Sequence, residues 1–158
     1  VHLENAALLD GGFSRFGWPG RSRFGDEGAG AAFLILQHAI SRPDLQRRGL
    51  ALMLDAIPAG DASPLDAAYL ADRIAVFEGR PQVFGTQFDW IDGQLSPAPI
   101  ASPETVDEDR AAVGLAPLGE AIAAMRERAA WDGDTGPADL DARKAAFEAW
   151  ARQVGWRD

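Results

Sequence analysis

Three points along this chain carry the same instruction for starting a helix. Ser41-Arg42-Pro43, Ser63-Pro64 and Ser102-Pro103 each set a serine hydroxyl just ahead of a proline. The hydroxyl can accept a bond from an orphan N–H of the first turn, and proline lacks the N–H that would go unpaired there. From these starts, and from glycine or proline stops, helices are expected over residues 26–40, 43–57, 64–78, 103–113, 117–130 and 138–154, with a short one allowed near 3–10. Residues 11–25, rich in glycine and aromatics, read as a loop containing Gly17-Trp18-Pro19.

One stretch has a different texture. Residues 82–90 alternate without a helix period, and Asp92-Gly93 is a hairpin turn signal. Residues 94–100 can return only as an edge strand, because Pro97 and Pro99 remove ladder donors. The expected fold is mostly α: a single domain over residues 1–158, of about six helices with one small β-hairpin near residues 82–100. Residues 1–25 would form a peripheral N-terminal segment and loop.

Composition removes several classes of function. A net charge of −9 and an isoelectric point near 4.6 repel phosphate backbones, so no nucleic-acid partner is expected. Arg15, Arg21, Arg23, Arg42, Arg47 and Arg48 read as solvated loop and helix-face charges. The chain has no cysteine, which excludes disulfides, thiol nucleophiles and Cys-ligated zinc. His2 and His38 lack metal-ligand spacing, and the run Asp132 to Gly136 lacks the later ligands of a calcium loop, so neither metal nor cofactor is expected. No phosphate-cradling glycine loop and no G-x-S-x-G elbow occurs. No apolar run approaches the roughly 20 residues of a membrane span. A soluble, cytoplasmic protein without a membrane partner is expected, although the chain begins at Val1 and a removed N-terminal segment stays open. Phe147 and Trp150 suit core packing and leave a weak homodimer contact open, so the expectation is a monomer or weak homodimer.

The residues that resist a plain core reading gather on two helices and the stretch after one of them. In helix 64–78, Leu65, Ala68, Tyr69, Asp72 and Val76 share one stripe, which sets a carboxylate in a buried face. A buried carboxylate must be paired, hydrogen-bonded or protonated. Asp72 therefore either ties down a neighbouring segment or is a site group, and Arg73 flanks the same face. In helix 26–40, Ala31, Leu34, Ile35 and His38 follow the helical rule, so His38 ends an apolar stripe with Gln37 at its polar edge. If residues 82–88 are extended, Gln82, Phe84, Thr86 and Phe88 point one way, and Val83, Gly85 and Gln87 the other. Thr86 and Gln87 offer groups suited to orienting a polar ligand, and Gly85 marks a bulge or a close approach.

Taken together these residues resemble a bacterial family. Gly17-Trp18-Pro19, Gln37-His38-Ala39, Asp72-Arg73, the block Gly79-x-x-Gln82-x-Phe84-Gly85-Thr86-Gln87, and Arg110-x-x-x-Gly114-Leu115-x-Pro117-Leu118 follow its order. That family is known only as a domain of unknown function, so the resemblance implies positions and no established activity. It covers residues 16–120. The family's pattern implies Asp after QHA, Tyr ahead of Gly-Thr-Gln, and a tyrosine after Gly-Leu-x-Pro-Leu. Here those places hold Ile40, Phe84 and the stretch 119–122.

Two readings follow. As an enzyme, His38 would be the general acid or base, since histidine titrates near neutral pH, and Asp72 would orient it. Arg73 would hold an anionic group, while Gln37, Gln82, Thr86, Gln87 and Trp18 would bind a small polar molecule or peptide. No nucleophile stands out, so that chemistry would be non-covalent. As a non-catalytic module, the same groups would form a structural network beside a ligand- or protein-binding groove.

Overall fold

The computed structural model describes the backbone of residues 2–158 and the side chains from Glu4 onward. Expectations placed on Val1 and on the His2 side chain fall outside the described residues. The chain is mostly helical, as expected: seven α-helices and one antiparallel hairpin occur among the described residues. In order they are α1 (His2–Phe16), α2 (Arg21–His38), α3 (Pro43–Ala56), α4 (Pro64–Phe77), β1 (Phe88–Ile91), β2 (Gln94–Pro97), α5 (Val106–Ala112), α6 (Leu118–Asp132) and α7 (Leu140–Val154). None of these helices is long and apolar enough to cross a membrane. The chain groups into two compact units, Val1–Leu70 and Ala71–Asp158.

In the first unit α1 buries Ala6, Leu9 and Phe13, one residue per turn of a single face. That face carries the helix through Gly11 and Gly12, where a loop was expected, and only residues 17–20 are non-helical before α2. Packing thus outweighs a propensity cost of about 1 kcal/mol per glycine. Gly25, at φ 69°, interrupts α2 near its start. The buried face of α2 is Ala29, Ala32 and Leu36, not the expected Ala31, Leu34, Ile35 and His38. Leu34 is 54% exposed and His38 is exposed. The physical reason lies across the interface. Gly49 of α3 has no Cβ, and Leu36 fills that space, so the small residues in line with Leu36 face inward.

Side chains stitch the helix ends of this unit. Gln46 is fully buried and donates from Nε2 to the Leu36 and Gln37 carbonyls, at 2.8 and 3.1 Å, which closes the end of α2. The Asp61 carboxylate accepts the Ser22 N–H at 2.8 Å and the Ser22 hydroxyl at 2.7 Å, which caps its start. Those two donors, the hydroxyl first, hold the Asp61 carboxyl below the usual carboxylate range. Of the three serine-proline starts, the Ser63 hydroxyl does accept the Asp66 N–H at 3.2 Å. The caps of α3 and α5 are Arg42 and Thr105, and neither makes a side-chain cap bond.

In the second unit the Asp92-Gly93 turn takes left-handed φ values of 49° and 75° and returns β1 onto β2, pairing Phe88 with Pro97 and Ile91 with Gln94. Gly79, at φ 74°, ends α4. Phe77, on the last turn of α4, is ringed by Phe147, Trp150 and Trp156, with centroids 5.8, 5.4 and 5.1 Å away. Arg157 closes that end of α4 by donating to the Phe77 and Val76 carbonyls, each at 2.8 Å, and pairs with Glu148.

Candidate functional site

Residues 82–87 do not form the strand expected of them. Their backbone pairing is confined to the two ends, a parallel bridge from Gln82 to Ile100 and a bond from the Ala98 N–H to the Gln87 carbonyl at 2.9 Å. The segment instead folds round one carboxylate. Asp72 is fully buried, and its Oδ1 accepts the N–H groups of Val83 and Phe84 at 2.8 and 3.0 Å. Its Oδ2 accepts the Thr86 N–H and the Thr86 hydroxyl, both at 2.9 Å. A carboxylate offers about four acceptor sites, and four donors occupy them.

Gln82 does for the next stretch what Asp72 does for this one. It is fully buried, donates from Nε2 to the Gln87 and Ala98 carbonyls at 2.9 and 2.8 Å, and accepts the Gln87 N–H at 2.9 Å. Its amide replaces the strand that the segment lacks. Gln87 then donates to the Thr86 hydroxyl oxygen at 3.0 Å and receives a long 3.5 Å bond from Arg73 Nε. Burial pulls the Arg73 guanidinium below the usual arginine pKa. Arg73, Gln87, Thr86 and Asp72 are thus joined in one chain of bonds.

Arg110 completes the clamp, and sequence reasoning had given it no site role. It is 3% exposed, and it donates to the Phe84 carbonyl and the Ala116 carbonyl, each at 2.6 Å. Asp72 takes N–H groups of this segment while Arg110 takes the Phe84 carbonyl and, at 3.5 Å, the Gly85 carbonyl, so a buried anion and a buried cation hold the same segment. The signal lay in α5, where Val106 and Arg110 are four residues apart and both buried. Gly85 is required by two constraints. Its φ is +67°, and a Cβ there would sit 2.8 Å from Leu118 Cδ1 and 3.1 Å from Ile100 Cδ1. Phe84 enters the network through its backbone.

Beside Gln87 a cleft of about 320 Å³ opens. Val76, Phe77, Phe88, Ala98 and Phe147 line it with apolar surface, and Asp89, Arg143, Lys144 and Glu148 bring charge. Asp89 is paired with Arg143. Glu148 is paired with Arg157, whose bond holds the Glu148 carboxyl below the usual range, and more weakly with Arg152 at 3.8 Å.

The remaining predicted residues belong to the first unit. Trp18 is buried against Phe13, with ring centroids 6.0 Å apart. Gln37 is half-buried, and His38 is exposed at the end of α2. Tyr69, expected on the buried stripe of α4, is 40% exposed. Among the described residues no group of three or more His, Cys, Asp or Glu side chains is arranged to hold a metal ion.

No curated protein and no solved structure matches the chain. The model of a family described as a family of unknown function (DUF6624) matches residues 2–133, a stretch that holds the whole Asp72, Gln82 and Arg110 network and stops short of α7. On that match the chain belongs to this family of unknown function.

Proposed function

We propose that the chain is a non-catalytic binding module, with the polar network as scaffold and the adjoining cleft as the place where a small molecule is held. One observation carries this reading: four donors take the four acceptor sites of Asp72, in a place with no exposure to solvent. A general base or an orienting carboxylate needs a lone pair turned toward the group it serves. A carboxylate saturated by one segment of its own chain holds that segment in shape instead. Thr86 and Gln82 are committed in the same way. The proposal gives His38, Gln37 and Trp18 no part in this binding site. Gln87 does have a part, since it lines the cleft and is fixed from behind by Thr86 and Arg73.

A nucleic-acid partner is disfavoured by how the arginines of the first unit are engaged. Arg42 and Arg48 are paired with Asp10, and Arg21 with Asp26. Arg23 lies over the Phe16 ring, 4.2 Å from its centroid.

Asp72→Asn tests the scaffold reading. An amide nitrogen would face N–H donors, so at least one edge of the segment loses its acceptor. The expected loss is about 3 kcal/mol, in the range for breaking a buried hydrogen-bond network. For a chain of this size that is a fall of roughly 6–12 °C in melting temperature. A variant that melts with the parent would count against the structural role and return Asp72 to the candidates for chemistry.

A further inference from the structure

Near the cleft, charge is distributed against the trend of the rest of its unit. Residues 71–158 carry sixteen carboxylate side chains and nine Lys or Arg side chains, a net −7. At the cleft the lining is balanced, Asp89 and Glu148 against Arg143 and Lys144. Arg157 and Arg152, which do not line it, also reach Glu148. Arg143 is spent on Asp89, while Arg157 and Arg152 are spent on Glu148. Lys144 lines the cleft and is paired with no carboxylate among the described residues. It stands beside a wall of Val76, Phe77, Phe88, Ala98 and Phe147.

An unpaired ammonium at the edge of an apolar pocket suits a ligand with one anionic end and one apolar end. The pocket volume lies at the small end of the range for ligand sites, about 300–1,000 Å³, which fits a single ring on a short chain. We infer that the cleft takes a small apolar monocarboxylate, its ring against Phe77, Phe88 and Phe147 and its carboxylate on the Lys144 ammonium. The Gln87 amide is the neutral polar group on the same lining. This inference rests on the reading of the cleft as a binding site and adds the chemistry of what it binds.

Lys144 is the only lysine in the chain, which gives the test a clean reporter. Reductive methylation with carbon-13 formaldehyde keeps the charge and marks the Lys144 amine and the N-terminal amine alone. The full chain is titrated with 3-phenylpropionate and, separately, with its neutral amide, 3-phenylpropanamide. The acid is expected to move the Lys144 methyl signal and to bind about fivefold more tightly than the amide, the size of an exposed ion pair. K144Q, at an exposed position on α7, should fold normally and bind acid and amide alike, while K144R should keep the preference. If acid and amide bind the parent equally, or if K144Q keeps the preference, the anion assignment is overturned and the binding site stands. If neither probe binds at millimolar concentration, the binding-site reading falls with it.

Discussion

Asp66 stands in the first turn of α4 and lines a small polar cavity of about 170 Å³ with Trp18, Arg21, Ala29 and Ala62. Burial raises its pKa above the ordinary value, while the Arg21 charge and the Ser63 hydroxyl act in the opposite direction. Between the usual carboxylate value, about 4, and the raised one, the folded chain holds more protons than the unfolded chain. Stability from this group therefore falls as pH rises through that window and stays lowered above it. Asp66→Asn removes the penalised charge. It should be more stable than the parent at neutral pH, with the advantage shrinking as the pH is lowered to about 4. Urea midpoints across that range measure it, and a variant weaker than the parent at neutral pH would contradict the sign. Asp72 is the contrasting case, because its charge is met by four donors and its loss is costly. Both residues occupy similar places in the sequence, a carboxylate on an amphipathic helix. What separates them is which donors reach each one, and that is set by residues far along the chain.

At the scale of elements, local reasoning succeeds where the signal itself is local. The hairpin was legible because two adjacent residues, Asp92 and Gly93, supply its left-handed turn. Helices α3, α4, α6 and α7 were legible within a few residues because their periods and stops are local. Residues 82–87 were not. Their pattern alternates as a strand would, yet their partners are a side chain on α4 and another on α5. The stripe on α2 was misplaced for a related reason, since a missing Cβ on α3 decides which side faces inward. Of the candidate site, Asp72, Gln82, Thr86 and Gln87 do come together; Arg110 stood only as the first residue of a motif, with no role attached, and Lys144 stood in none. Gly85 offers a test of how tightly the element is held. Gly85→Ala meets both a left-handed φ and the Leu118 and Ile100 side chains, and should cost about 2–4 kcal/mol. Gly93→Ala has a similar φ and open space, so it should cost only about 1–2 kcal/mol. Chemical denaturation of the two variants isolates the packing part, and equal losses would mean that the close approach has no energetic weight.

For the whole molecule, the negative charge is uneven: residues 1–70 sum to −2 and residues 71–158 to −7. The unit with the larger charge is also the one with a buried anion and a buried cation, met by backbone groups and the Thr86 hydroxyl rather than by each other. The family match ends at residue 133, so three of the cleft's four charged lining residues, Arg143, Lys144 and Glu148, come from α7, outside the matched stretch. The scaffold thus lies inside the matched stretch, and the ligand preference argued from Lys144 rests on a helix beyond it. The clamp on residues 83–87 has a further consequence, in time rather than in space. A map of amide exchange over the chain usually follows its helices and ladders, with loops exchanging first. Here the N–H groups of Val83, Phe84, Thr86 and Gln87 point at buried acceptors on Asp72 and Gln82. In deuterium-exchange measurements they should be as slow as those of α4, and fast exchange at these four positions would mean the clamp opens by itself. A region with no regular secondary structure would then be among the last parts of the protein to admit solvent.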